Sequence, residues 1–163
     1  MSAVPPRSGI GFDSHRLEAG RRLVLGGVEI PEADRGLAGW SDADVLTHAM
    51  IDALLGASAL GDIGEHFPAT DERWRDADSL DLLRAVVELL AEAGWEPLNL
   101  DATVMCEEPR LSPHRDAMRE RLAAASGLDP AAVSVKFTTG EGLGFVGRGE
   151  GMAALALASV ARR

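Results

Sequence analysis

Val133-Ser134-Val135-Lys136-Phe137-Thr138 is followed by Thr139-Gly140-Glu141-Gly142-Leu143-Gly144-Phe145-Val146-Gly147-Arg148-Gly149-Glu150, and then by Gly151-Met152-Ala153-Ala154-Leu155-Ala156-Leu157-Ala158-Ser159-Val160-Ala161. The first stretch alternates β-branched and polar residues and reads as a strand. The middle is too rich in glycine for a regular element. The last is nearly all apolar, yet at about ten residues it has strand length and falls short of the ~18 residues of a membrane span. Met152–Ala161 suits a sheet buried on both faces.

Upstream, Ser112-Pro113 opens a helix that ends near Gly127, cap then first-turn proline. Leu98–Met105 alternates like a strand. Asp78 caps an amphipathic helix with Asp81 in its first turn and Gly94 just past its end. Residues 61–77 are polar and broken by glycine and proline, as in a long functional loop. A further helix runs from a cap at Ser41 or Asp42 to about Leu60, its apolar face supplied by Val45, Leu46, Ala49, Leu54 and Leu55. Residues 32–40 read as loop, 22–30 as extended with a bend at Gly26-Gly27, and 8–15 as a short strand. Interleaved strands and helices make the class α/β (α+β): a mixed β-sheet with helices packed on one face, in a single domain over residues 1–163.

The chain has 163 residues, 46% of them hydrophobic, enough for one core without disulfides or a structural metal. Its formal net charge of −10 lacks the basic footprint of a nucleic-acid binder. A phosphorylated ligand would need cations gathered locally. The one cysteine, Cys106, rules out an internal disulfide and fits a reducing cytoplasm. Residues 1–7 carry no signal-peptide core, and no membrane anchor is expected.

Three groups of residues could carry chemistry. On a strand, Asp13 and His15 share a face, and His48 lies on the first helix behind Asp42-Ala43-Asp44. One carboxylate and two imidazoles suit Zn²⁺ with a coordination position left open. The same residues also read as turn and helix-start residues. In the glycine-dense segment, backbone N–H groups, the hydroxyls of Thr138 and Thr139, and Arg148 could receive phosphate, with Glu141 able to hold Mg²⁺. A mobile hairpin loop is the alternative, and the Gly-Lys-Ser/Thr end of a Walker loop is missing. Gly61 to Pro68 reads as a binding loop or a surface turn, Asp62 being its hydroxyl acceptor. His66 and His114 read as bystanders.

Taken together these segments resemble the 2-C-methyl-D-erythritol 2,4-cyclodiphosphate synthase family. The matching stretches are Gly11-Phe12-Asp13-Ser14-His15, Leu25 to Pro31, Ser41-Asp42-Ala43-Asp44-Val45-Leu46-Thr47-His48, Asp52 to Ala57, Leu60 to Gly64, Phe67-Pro68, and Thr138-Thr139 through Gly151. They occur in family order over nearly the whole chain. The resemblance implies a metal-dependent cyclisation. In 4-(cytidine 5'-diphospho)-2-C-methyl-D-erythritol 2-phosphate, the 2-phosphate attacks the β-phosphorus of the diphosphate, forms the cyclic diphosphate and expels CMP.

It also implies roles for residues. Asp13, His15 and His48 are the zinc ligands, and Glu141 binds a second ion, Mg²⁺ or Mn²⁺, between the phosphates. Thr139 stabilises the transition state, with Thr138 beside it. Asp62, Ile63, Gly64, Phe67, Pro68, Ala69, Thr70 and Asp71 form the methylerythritol pocket. Cys106, Glu107, Glu108, Pro109, Arg110, Leu111 and Ser112 surround cytosine. Ser14, Ser41, Gly140, Phe145 and Arg148 complete the substrate contacts. Family members are homotrimers with each site between subunits, one giving zinc and its neighbour the cytidine pocket.

Three positions depart from the family. Trp40 stands where a histidine helps place the diphosphate in the catalytic constellation. Ala69 replaces an aspartate, and Gly140 replaces a threonine, leaving its backbone N–H for phosphate. Trp40 therefore keeps open a non-catalytic relative that binds metal and nucleotide diphosphate. A metal-dependent phosphohydrolase giving CMP and a linear diphosphate is a second alternative, although no residue offers an obvious base for water.

Overall fold

The long first strand and the last one lie side by side, and the rest of the molecule is arranged around that pair. The computed structural model describes residues 4–163; of the N-terminal stretch read against a signal peptide, residues 1–3 lie outside the described residues. In chain order the elements are β1 (Arg7–Ala19), β2 (Val24–Leu25), β3 (Val28–Glu29), β4 (Arg35–Leu37), α1 (Val45–Ser58), α2 (Ile63–His66), α3 (Ser79–Glu92) and β5 (Trp95–Met105). They continue with α4 (Arg115–Ser126), β6 (Val133–Thr138), α5 (Gly144–Gly147) and β7 (Gly151–Arg162).

Five strands form one sheet in the order β4-β1-β7-β5-β6, and β2 and β3 pair as a separate hairpin. β7 runs antiparallel to both neighbours, while β5 and β6 are parallel with α4 in the connection between them. The sheet is mixed, as its sequence pattern predicts, and α1, α3 and α4 lie on one side of it.

The seam that matters for function is between β1 and α1. A Cβ on Gly11 would stand 1.9 Å from the Ala49 carbonyl oxygen, and one on Gly9 would stand 2.2 Å from that of Ala53. Glycine on the strand and alanine on the helix let two backbones touch, which brings the side chains further along each within reach of one another. α1 is apolar on nearly every side, and twelve of its residues from Val45 to Ser58 are buried.

Several boundaries differ from the sequence expectation. The cap of α1 is Asp44 rather than Ser41 or Asp42. Its carboxylate accepts the Thr47 N–H at 3.0 Å and the Thr47 hydroxyl at 2.7 Å, and also the Gly26 and Gly27 N–H groups at 2.9 and 2.8 Å. The β2–β3 turn, with both glycines at positive φ, is thereby tied to the start of α1. Residues 32–40 contain β4, and the polar stretch 61–77 contains α2 and a 3₁₀ turn at Glu72–Trp74. β1 extends to Ala19. Ser112–His114 is a 3₁₀ turn leading into α4, which closes on Gly127 in the left-handed region.

β7 is fully covered on one face only. Met152, Ala154, Ala156, Ala158 and Val160 are buried beneath α1, but Leu155 and Leu157 are 41% and 44% exposed. The register sets Phe12, 55% exposed, opposite Leu155, and Ile10, 70% exposed, opposite Leu157. The outer face of the sheet thus carries a contiguous apolar patch, a feature that marks an interaction surface.

Candidate functional site

Asp13 and His15 alternate with outward-facing Phe12 and Ser14 on β1, so both turn toward α1, where His48 lies one residue before Ala49. Asp13 Oδ2 is 2.8 Å from His15 Nε2 and 3.1 Å from His48 Nδ1, and those two nitrogens are 3.4 Å apart. The three atoms belong to a group able to hold a metal ion.

Donor chemistry supports that use. His15 Nδ1 lies 2.7 Å from the Ala38 carbonyl oxygen, which can only accept, so Nδ1 carries the hydrogen and a neutral ring turns the Nε2 lone pair inward. Lone pairs brought together this closely repel unless a cation or proton lies among them. One oxygen and two imidazole nitrogens are a donor set for zinc. Without an ion the electrostatics are those of an ion pair. Burial pushes the Asp13 carboxyl up, but hydrogen bonds and positive charge from His15 and His48 outweigh it and bring it from 3.8 to about 2. Burial depresses the His15 imidazole, and the Asp13 contact outweighs that, leaving it raised above 6.5.

The cluster opens into a depression of about 230 Å³ walled by Trp40, Ser41, Ile63, Gly64, Phe67 and Ala69, with Trp74 and Leu82 behind. Of the residues expected around the polyol, Ile63, Gly64, Phe67 and Ala69 line it, and Asp62, Pro68, Thr70 and Asp71 do not. Asp62 caps α2 by accepting the Glu65 N–H at 3.0 Å, and Asp52 accepts the Ile63 N–H at 2.8 Å, fixing where α2 begins. Trp40 fastens the far side. Its Nε1–H donates to the Asp71 carbonyl at 3.0 Å, its own carbonyl accepts the Asp76 N–H at 2.9 Å, and the Arg75 guanidinium stacks 4.2 Å from its ring. The indole N–H is thus spent on the loop. Pro68 is half-buried in that loop and Thr70 is exposed.

The expected cytosine stretch lies elsewhere on the chain. Cys106 to Ser112 lines a groove of about 730 Å³ together with Leu17, residues 32–35 and Phe137 to Thr139. The Cys106 thiol is buried within this wall, and burial followed by the charges of Glu107 and Glu108 pushes it up to about 12. Glu107 accepts the Gly140 N–H at 2.9 Å, so the one group Gly140 offers to phosphate is occupied. Thr139 Oγ1 and Glu141 Oε1 are 3.3 Å apart, and the Glu141 N–H donates back to Thr139 Oγ1 at 3.2 Å. Arg148 pairs with Glu150 at 3.0 Å, and Phe145 is exposed. The groove and the depression share no residue.

Ser79, missed in the sequence, and Asp42, read there as a helix-start residue, back the cluster. His48 Nε2 lies 2.8 Å from Ser79 Oγ, and Ser79 is bound in turn to Asp42. Ser79, directly after the readable cap Asp78, carried no signal of its own. His66 and His114 do stand apart from the cluster. They serve the fold, His66 Nε2 lying 2.7 Å from the Leu60 carbonyl and His114 Nε2 2.6 Å from Glu32.

A two-layer α/β domain with an Asp-His-His metal cluster at a strand–helix seam, and a separate groove edged by Thr138 and Thr139, has the arrangement of the metal-assisted phosphoryl-handling proteins. The chain belongs to the YgbB family, whose pattern it matches over residues 6–161. It is 61% identical over 155 residues to the 2-C-methyl-D-erythritol 2,4-cyclodiphosphate synthase of Symbiobacterium thermophilum, covering 95% of this chain and 98% of that one. The bifunctional IspDF structure from Campylobacter jejuni superposes with a TM-score of 0.93 at 42% identity, over 98% of this chain and 43% of that one. The Plasmodium falciparum IspF structure, a CDP complex, gives 0.85 at 27% identity over 99% of each chain.

Proposed function

We propose that this chain is a 2-C-methyl-D-erythritol 2,4-cyclodiphosphate synthase. It converts 4-(cytidine 5'-diphospho)-2-C-methyl-D-erythritol 2-phosphate to the cyclic diphosphate and CMP. The observation that carries this reading is the convergence of Asp13, His15 and His48 within 3.4 Å at the head of a polyol-sized depression, in a chain this similar to a synthase. The whole chain acts as one domain.

Attacking phosphate and scissile diphosphate belong to one substrate, so the protein's task is orientation and charge neutralisation. Asp13, His15 and His48 would hold Zn²⁺, which would supply Lewis-acid chemistry to the diphosphate when bound. Asp62, Ile63 and Gly64 receive the polyol at the mouth of α2, with Phe67 to Asp71 as the opposite wall and Ser41 beside the ligands. Cys106 to Ser112 cradle the base. Thr139, whose hydroxyl donates to Glu141 in the free chain, would turn it to the reacting phosphate with Thr138 next to it, and Glu141 would hold the second cation, Mg²⁺ or Mn²⁺. Arg148 and Phe145 edge the same loop. Trp40 orients the loop rather than donating to phosphate, because its N–H already serves Asp71. Trp40 is also the residue that would favour a non-catalytic relative.

The site is completed between subunits of a homotrimer. In one chain the cytidine groove and the metal depression are separate surfaces. The apolar outer face of the sheet, with Ile10, Phe12, Leu155 and Leu157, supplies the area that three copies would bury. Among the described residues no helix is long and apolar enough to cross a membrane, and the chain works in the cytoplasm without nucleic-acid partners.

Phosphorus NMR of the protein with substrate, Zn²⁺ and Mg²⁺ tests the reading. Equal appearance of CMP and cyclic diphosphate, lost in His48→Ala, is expected. CMP with a linear product would mean hydrolysis. Bound substrate without turnover would mean a binding protein, and recovery of turnover in Trp40→His would trace the loss to that residue.

A further inference from the structure

Behind His48 a chain of hydrogen bonds runs from the cluster through Ser79 to Asp42. Ser79 is completely buried, and His48 is 8% exposed. The Ser79 hydroxyl donates to Asp42 Oδ1, and the Ser79 backbone N–H donates to Asp42 Oδ2 at 3.0 Å. Asp42 Oδ1 also accepts the Asp44 N–H at 3.1 Å. An ionised carboxylate is acceptor-only, so three donors fit it and the Ser79 proton has one destination.

That commitment decides the state of the histidine. With its hydrogen on Asp42, Ser79 Oγ can offer only a lone pair to His48 Nε2, 2.8 Å away. Nε2 must then carry the ring hydrogen, and in a neutral imidazole Nδ1 keeps its lone pair, directed at Asp13 and His15. Ser41 Oγ, 3.2 Å from the same nitrogen, accepts the Ala43 N–H but has its own hydrogen free to turn. Ser41 can follow either tautomer, whereas Ser79 dictates one.

We infer that Asp42 is a positioning residue that acts through Ser79 to hold His48 as its Nε2–H tautomer and present Nδ1 as a metal ligand. The inference rests on the reading of Asp13, His15 and His48 as a metal site. It assigns the two flanks of the cluster to different elements. The Ala38 carbonyl from the loop after β4 orients His15, and Asp42 with the first residue of α3 orients His48. Without the relay, Asp13 at 3.1 Å competes for a hydrogen on His48 Nδ1 and blocks the ligand position. Outer partners of this kind are worth about 10–100-fold in metal affinity.

The test uses the full chain in two measurements. Long-range ¹H–¹⁵N correlation spectra of the metal-free protein, at a pH where His48 is neutral by its own titration, report which nitrogen carries the hydrogen. Competition with a chromophoric chelator reports Zn²⁺ affinity for the wild type, Ser79→Ala and Asp42→Ala, each checked for folding by circular dichroism. The expected result is an Nε2–H ring in the wild type and about 10–100-fold weaker Zn²⁺ binding in both variants. An Nδ1–H ring in the wild type overturns the inference without any variant. So does Ser79→Ala that is folded and binds Zn²⁺ as the wild type does. A wild type with the Nε2–H ring but no Zn²⁺ uptake supports the relay and overturns the metal reading instead.

Discussion

Gly11→Ala should damage the fold and the metal centre together, because residue 11 meets α1 beside both. Its new Cβ would stand 1.9 Å from the Ala49 oxygen and 2.7 Å from the Ala53 nitrogen. Restoring ordinary contact requires β1 and α1 to separate by about 1.5 Å, and both obstacles are backbone, with no side chain to swing aside. β1 is bonded to β7 along ten residue pairs, so it cannot retreat alone. Overpacking costs about 1–3 kcal/mol, and this site belongs at the upper end. For a chain of this size that corresponds to a fall in melting temperature of roughly 6–12 °C. The same separation carries Asp13 and His15 away from His48 and should lower zinc affinity. Thermal denaturation of the metal-free protein and chelator competition measure the two effects. Gly56→Ala is the control, since its Cβ meets only the Ile10 oxygen at 3.8 Å. In a helix interior it should stabilise by about 1 kcal/mol. A Gly11→Ala protein that melts within about 2 °C of the wild type and keeps its zinc affinity would refute the seam argument.

Trp40→Phe keeps the ring under Arg75 but removes the donor to Asp71, so the 67–77 wall should loosen. Faster proteolysis within that loop and a several-fold higher KM with a smaller change in kcat are expected, and unchanged values of both would leave the indole N–H without a role. In the metal-free protein the Asp13 carboxyl is held near 2 against 3.8, so its stabilising contribution is complete above 3.8 and is lost as pH falls toward 2. Asp13→Asn should remove about 2 kcal/mol of that acid-side dependence, read from urea unfolding across the window. Cys106, buried with its thiol pushed to about 12, should resist iodoacetamide at neutral pH in the native state and react once unfolded. Rapid native labelling would show that this wall of the groove opens.

The local signals in the sequence were those that need no distant partner. Asp78 caps α3 through the Leu80 N–H at 2.8 Å, and Gly127 closes α4, both decided within a few residues. The alternation that puts Asp13 and His15 on one face is equally local. What escaped depends on remote contacts. The α1 cap moved to Asp44 because the Gly26-Gly27 turn, far back in the chain, supplies two further N–H donors to it. β4 is three residues paired with the tail of β1, and a Cβ on its Gly36 would stand 2.2 Å from the Arg22 carbonyl oxygen. No periodicity announces an element that short. The metal ligands were legible by residue type, but their convergence needed the glycine–alanine seam. The relay through Ser79 needed α3 placed against α1. The exposed apolar face of β7 shows the limit from the other side, because its sequence reads as doubly buried and one chain covers only half of it.

Turnover in H₂¹⁸O, with mass spectrometry of both products, tests the central claim of intramolecular phosphoryl transfer most directly. Attack by the substrate's own 2-phosphate uses no solvent oxygen, so CMP and the cyclic diphosphate should both be free of ¹⁸O. One ¹⁸O in CMP or in a linear product would mean that water is the nucleophile, and the cyclisation account would be wrong.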